Sequence, residues 1–254
     1  LTYDENTPLT TATPYILEAF IRYDQLRPSD SSKENIRAIL SFFINDICYL
    51  IDNEDALAAS YAPYADRIVV NASSYVMYSL AMCIPYVESS VKIQLQDKIT
   101  RLYNFILNNI ASNGAILYSP EGDSFIDCFH SCFVLKNIIK TNQIYPLKNC
   151  SAILNLSYSY IQDNFFVERD GLYKRFSKTN KPGLVKYDLY DNAELLNLAV
   201  LMEDKETVKV LQDSISTSFI KNDVIYSQID LFGRPFNSSM YRWAILPLFY
   251  AFSQ

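Results

Sequence analysis

Apolar residues return at three- and four-residue steps along almost the whole chain, and this periodicity fixes the fold class before any motif is considered. The runs begin with Tyr15-Ile16-Ala19-Phe20-Tyr23, Ile36-Ile39-Leu40-Phe43-Ile47-Leu50 and Tyr75-Tyr78-Ala81-Met82. They continue through Ile99-Leu102-Phe105-Ile106, Phe129-Phe133-Val134-Ile138, Leu195-Leu196-Leu198-Ala199-Met202 and Val208-Leu211-Ile215-Phe219 to Trp243-Leu246-Phe249-Tyr250. The pattern predicts an all-α protein of nine helices, near 13–26, 32–52, 71–86, 91–111, 125–141, 148–163, 190–203, 205–221 and 239–252. No convincing strand is expected. The short pieces Leu172-Tyr173-Lys174-Arg175-Phe176 and Val224-Ile225-Tyr226-Ser227 are read as small hairpins between helices.

The connections alternate in kind. Some are tight, such as Pro28-Ser29-Asp30-Ser31 and Glu203-Asp204, while others are long and rich in Gly, Pro and aromatic residues. The helices that follow the long connections begin near Pro14, Asn71, Asp127, Tyr190 and Tyr241, at steps of 57, 56, 63 and 51 residues. A helical-hairpin unit repeated at that period is longer than the units of common helical solenoids. Its long connections all enter the same set of helices, as expected of loops around a cavity mouth. The fold expected is therefore an (α/α) toroid of hairpins in a single domain over 1–254. Nine helices give four and a half hairpins, an incomplete (α/α)6 barrel. The chain opens at Leu1 with neither an initiating Met nor a signal peptide, which reads as a domain cut from a longer polypeptide.

Composition enters mainly by exclusion. All five glycines (Gly114, Gly122, Gly171, Gly183, Gly233) fall in long connections, and none are spaced as a phosphate-binding loop requires. One histidine and no C-x-x-C pair leave no ordinary zinc site, so neither metal nor cofactor is expected. A net charge of −6 argues against nucleic acid as a partner, and no apolar run is long enough to span a membrane. Five cysteines, an odd and sparse set, suggest reduced buried thiols and a reducing compartment such as the cytoplasm.

The polar residues of interest gather at the starts of the odd-numbered helices: Asn71, then Asp127 and His130, then Asp188, Tyr190, Asp191 and Asn192, and last Tyr241, Arg242 and Trp243. Asp127 and His130 stand three residues apart, on one helix face. They suit either an oriented proton-transferring imidazole or a helix cap, with Ser124, beside a buried polar histidine. Asp188 and Asp191 precede an apolar helix and are both N-cap candidates. One cap needs only one of them, which leaves the other for the cavity. Two carboxylates from different helices suit acid/base work on a glycosidic bond, and Asp127 with Asp188 is the pair expected. Arg242 and Trp243 suit a sugar-binding clamp and platform, or alternatively a salt bridge from Arg242 to Asp127 or Asp188. Tyrosines of the long connections, among them Tyr173, Tyr187 and Tyr241, suit an aromatic-lined mouth.

The stretch from Ser124 to Leu135 resembles the I-D-N-F-H-T-G-F-V-L segment of bacterial polysaccharide-biosynthesis proteins with six-hairpin α/α toroids. Asn71-Ala72 is similar to that family's N-A-N helix start. Tyr187-Asp188-Leu189 with Ala193 is similar to its I-D-I-H-x-A-x segment, and Met240-Tyr241-Arg242-Trp243 with Tyr250-Ala251 to its closing M-R-W…Y-A helix. Tyr190 stands where the family has histidine, and Ile245 where it tends to have glutamine. The resemblance implies a sugar-polymer setting such as capsule or exopolysaccharide synthesis. The broader superfamily includes glycoside hydrolases, uronate epimerases and lyases.

Three functions follow as expectations. The first is a carbohydrate-active toroid with Asp127 and Asp188 as the acid/base pair and His130 positioning substrate. The second is a non-catalytic glycan-binding or scaffolding domain beside a glycosyltransferase. The third is a uronate lyase or epimerase using His130 with Tyr190 or Tyr241. In each the substrate-contacting residues are drawn from Asn71, Tyr190, Asp191, Asn192, Tyr241, Arg242 and Trp243, and the ligand is an oligo- or polysaccharide.

Overall fold

Nine α-helices form in the computed structural model, which describes residues 7–121, 125–179 and 183–254. Leu1, Gly122 and Ser124, each singled out above, lie outside the described residues. The helices are α1 (Thr13–Leu26), α2 (Asp30–Ser41), α3 (Val70–Cys83), α4 (Ser89–Asn108), α5 (Cys128–Ile144), α6 (Cys150–Phe165), α7 (Leu189–Leu201), α8 (Lys205–Phe219) and α9 (Leu246–Phe252). The long connections hold eleven short strands: β1 (Tyr49–Asp52), β2 (Leu57–Ala59), β3 (Ile126–Asp127), β4 (Phe166–Val167), β5 (Leu172–Tyr173), β6 (Phe176–Lys178), β7 (Val185–Asp188), β8 (Ile220–Lys221), β9 (Val224–Ile225), β10 (Gln228–Asp230) and β11 (Pro235–Phe236). The chain divides into two compact units.

The first unit takes residues up to Ala111, 117–122 and 137–154. Its hairpins are α1–α2 and α3–α4. α3 is buried along its whole length, whereas α4 buries one stripe, Leu95, Ile99, Leu102, Phe105 and Ile106. An enclosed helix paired with an amphipathic one is what a layered hairpin array requires. Ser29 caps α2 by accepting the Ser32 N–H, and Asp24 receives the Ser29 N–H (3.2 Å).

The second predicted helix is the main departure in this unit. α2 ends at Ser41, a single wide π turn follows over Phe42–Asp46, and 49–52 is strand rather than helix. Asn53 decides this: its side-chain oxygen accepts the N–H groups of Asp55 (3.0 Å) and Ala56 (2.9 Å) and closes a hairpin, β1 against β2. An Asx turn of this kind offers the backbone an alternative to the helix. The acidic stretch Asp52–Asp55 is thus the hairpin turn, with Asp52 ion-paired to Arg101.

The second unit takes 112–116, 123–136 and 155–254. α7 is buried from Leu189 to Ala199 and packs on α8, which buries Leu211, Ile215 and Phe219, and on α9. Asp204 caps α8 by accepting the Thr207 N–H. The expected hairpins at 172–176 and 224–227 form, as β4–β5 and β8–β9, but the first piece is divided: β6 instead pairs with β3. β7, β10 and β11 make a three-stranded antiparallel sheet. The last helix is shorter than its periodicity suggests, because Tyr241–Ile245 form a π turn ahead of α9. Pro247 has no N–H to give the Trp243 carbonyl, so the regular helical ladder is interrupted there. Gly114 has φ +91°, and a Cβ on it would lie 2.4 Å from the Leu156 carbonyl oxygen, so only glycine fits. The five cysteines are free; Cys48 is exposed and the other four are buried.

Candidate active site

In the second unit, two strand pairings bring β6 and β10 to the starts of α5 and α7. β3 runs antiparallel to β6, with Asp127 opposite Phe176, and the Cys128 N–H donates to the Arg175 carbonyl (2.9 Å). Arg175 is thereby set beside the first turn of α5. β7 runs antiparallel to β10 with Asp188 opposite Gln228, and the Leu189 N–H donates to the Ser227 carbonyl (2.8 Å).

At the start of α5, His130 Nδ1 lies 2.6 Å from Asp127 Oδ2. With the carboxylate as acceptor, Nδ1 carries the proton and Nε2 the lone pair. Asp127 is 4% exposed and His130 is 21% exposed, so the carboxylate is enclosed and the imidazole reaches solvent. The His130 ring lies 4.0 Å from that of Phe129. Asp127 stands one residue ahead of α5, at its N-cap position, with its side chain facing the imidazole and its backbone carbonyl receiving the Ser131 hydroxyl.

At the start of α7, the two aspartates divide their work. Asp188 is the N-cap, its Oδ1 accepting the Tyr190 N–H (2.9 Å). Its Oδ2 receives Gln228 Nε2 (3.1 Å) and a longer bond from Arg175 (3.4 Å). Asp191 has no exposed surface and caps the neighbouring helix instead, accepting the Phe129 N–H through Oδ1 (3.2 Å). Its Oδ2 has no hydrogen-bond partner among the described residues and lies 3.9 Å from Arg175 Nε. Burial pushes the Asp191 carboxyl well above the usual carboxylate range. Arg175 opposes that rise, and the nearby Asp188 and Asp127 add to it. Asn192 is fully buried: it accepts the Tyr173 N–H (2.9 Å) and donates to the carbonyls of Tyr173 and Asp188.

Aromatic rings surround the dyad. Tyr190 lies 5.2 Å from Phe129, 6.0 Å from Phe133 and 5.7 Å from Trp243, centre to centre. Trp243 is 47% exposed and Tyr241 is also exposed. Arg242 lies over the Trp243 ring (4.5 Å), and the cation beside Asp188 is Arg175, not Arg242. Tyr173 and Tyr187 are buried, with their hydroxyls on Gln162 and Asp170, so they belong to the packing of the connections. Asn71 belongs to the first unit, buried in the first turn of α3, with its side-chain oxygen unpartnered among the described residues.

Sequence reasoning missed Arg175 and Gln228. Gln228 sits in a three-residue strand and Arg175 in the bend just ahead of β6, pieces too short to show alternation, and both come to Asp188 through pairings between distant segments. Cys128 and Cys132 are both buried, and their mutual hydrogen bond together with burial pushes the Cys128 thiol upward. Among the described residues no group of three or more His, Cys, Asp or Glu side chains is placed to hold a metal ion.

No protein-family model matches the chain, and no curated protein matches it in sequence. Solved structures do match. Cellobiose 2-epimerase from Bacillus thermoamylovorans superposes with a TM-score of 0.75 at 11% identity, over 99% of this chain and 73% of that one. A D-mannose isomerase gives 0.75 at 10% identity over 99% and 71%, and the GH76 alpha-mannanase of Bacteroides thetaiotaomicron gives 0.65 at 12% identity over 99% and 71%. The fold is that of the (α/α)6 toroid enzymes. The toroid expected from the hairpin period is therefore the fold observed, and at these identities the likeness speaks for the fold alone.

Proposed function

We propose that the chain binds a saccharide against the Trp243–Tyr190–Phe133 rings and exchanges a proton with it through His130 Nε2, with Asp127 fixing the tautomer. The Asp127–His130 bond of 2.6 Å carries this reading. A histidine whose other ring nitrogen is held by an enclosed carboxylate is oriented to take or give a proton at Nε2. Aromatic faces supply the apolar surface that sugar rings stack on. The fold neighbours that epimerise cellobiose and isomerise mannose support a proton-transfer reaction next to a sugar carbonyl. In such a step the imidazole takes a proton from the carbon beside the carbonyl, the electron pair moves into an enolate, and a proton returns to carbon. Asp188, Asp191, Asn192 and Arg175 frame the site in this reading, and Tyr241, Arg242 and Trp243 form its outer wall. Polysaccharide assembly beside a glycosyltransferase is the setting that the motif resemblance supports.

The test is solvent exchange. In deuterated water, D-mannose and cellobiose should gain deuterium at C2 when incubated with the chain. His130→Ala and Asp127→Asn should each slow that uptake about 10²–10⁴-fold. Uptake unchanged in His130→Ala would overturn the assignment.

A second reading has its own observation. Asp127 and Asp188 stand buried at the starts of α5 and α7, and both act on Asp191. Two carboxylates at one site suit glycoside hydrolysis, and the neighbour named as an alpha-mannanase supports that reaction class. Release of mannose from mannobiose, abolished in Asp188→Asn, would favour it. Saccharide binding with neither activity would favour a glycan-binding domain.

A further inference from the structure

One to two turns beyond the dyad, α5 and α7 are joined by an ion pair between Lys136 Nζ and Glu194 Oε2, whose side chains are 14% and 5% exposed. Lys136 follows Phe133 by three residues and Glu194 follows Tyr190 by four, spacings that place each pair on one helix face. The Lys136 ammonium lies over the Phe133 ring, 5.3 Å from its centre, and the same ring is 6.1 Å from that of His130. At the helical rise per residue, His130 and Lys136 are separated by about 9 Å along α5, comparable with one sugar unit and its hydroxyl groups.

An ion pair this enclosed does little to hold two helices together. Removing both charges from water offsets most of their attraction, and an apolar pair of similar volume often packs at least as well. Its chemistry suits another task. A carboxylate only accepts hydrogen bonds and an ammonium only donates them. Side by side they match two adjacent sugar hydroxyls, one donating to Glu194 and its neighbour accepting from Lys136. Because the two charges cancel, the group they fit is neutral.

We propose that Lys136 and Glu194 bind a vicinal diol of a neutral saccharide and determine which sugars the site accepts. The proposal rests on the saccharide reading above and adds to it the residues that recognise hydroxyl configuration. A site built to hydrogen-bond a hydroxyl discriminates against a ligand lacking it.

Binding of D-mannose and its 2-, 3- and 4-deoxy derivatives, followed by NMR titration, tests this. The parent chain should bind at least one deoxy sugar about tenfold more weakly than D-mannose. Glu194→Gln should lose about tenfold in affinity for D-mannose and no longer distinguish that deoxy sugar. The double variant Lys136→Met/Glu194→Leu should keep a Tm near that of the parent yet bind no better than Glu194→Gln. D-mannose binding at parental affinity in the double variant overturns the proposal, because the pair then only joins helices. Should that variant fail to fold, parental affinity and discrimination in Glu194→Gln overturn it equally. If His130→Ala stops deuterium uptake while the pair variants bind as the parent does, this proposal alone falls. If the parent binds neither D-mannose nor cellobiose, the saccharide reading falls and takes this one with it.

Discussion

Asp191 combines complete burial, an oxygen with no hydrogen-bond partner among the described residues and two neighbouring aspartates. Its carboxyl therefore keeps its proton in the folded chain at pH values where the unfolded chain has released it. Below the ordinary value of 3.8 both states are protonated and nothing is lost. Above that value the unfolded state binds fewer protons, so folding stability falls as pH rises, until the folded-state carboxyl itself ionises. Asp191→Asn removes this slope at nearly constant shape. The Tm of the variant should rise relative to that of the parent from pH 4 upward, by no more than about 1.4 kcal/mol of stability per pH unit. Parallel Tm curves for the two proteins would show that the carboxyl ionises normally. Asn192, one residue on, acts through its amide alone. It holds both backbone groups of Tyr173, on the edge of β5 that β4 leaves open. Asn192→Ala should cost about 2–4 kcal/mol and speed hydrogen exchange at the Tyr173 amide.

Elements with their own period were legible in the sequence, and elements that exist only through pairing were not. α3, α4, α7 and α8 appear close to where the apolar spacing places them, because enclosed and amphipathic helices carry that spacing within one segment. The Asp127–His130 pair was legible for the same reason, since three residues on a helix fix the geometry. β3, β6, β7 and β10 have no such signature: two to four residues become strand only when a distant segment arrives beside them. Arg175 and Gln228 are positioned by those strands, and so the cation expected to face Asp188 was sought in Arg242. The 42–52 region failed in another way, because the Asn53 turn outweighed a helical spacing that was present. The tight junction at Gly114 offers a direct test of a connection. Gly114→Ala should lower stability by about 2–4 kcal/mol, read as a fall in Tm, because the backbone conformation and the Leu156 carbonyl both exclude a side chain.

For the molecule as a whole, the net charge of −6 and a pI near 4.9 bear on partners rather than on fold. At neutral pH the chain should be retained by an anion exchanger and pass unretained through heparin. Retention on heparin would show a basic face that the total conceals. Among the described residues no helix is long and apolar enough to cross a membrane. The toroid fold is common to hydrolysing, epimerising and isomerising neighbours, so the scaffold does not select among reactions. In the proposed reading that choice lies with the side chains at the starts of α5 and α7. The uneven burial of the cysteines makes such questions easier to approach in solution. Cys48, at the head of the β1–β2 hairpin, is the single exposed thiol of five. A maleimide dye should therefore attach at one position on the native chain with no engineered residue, providing a fluorescence reporter for ligand titrations. Labelling at the remaining four would then mark the onset of unfolding.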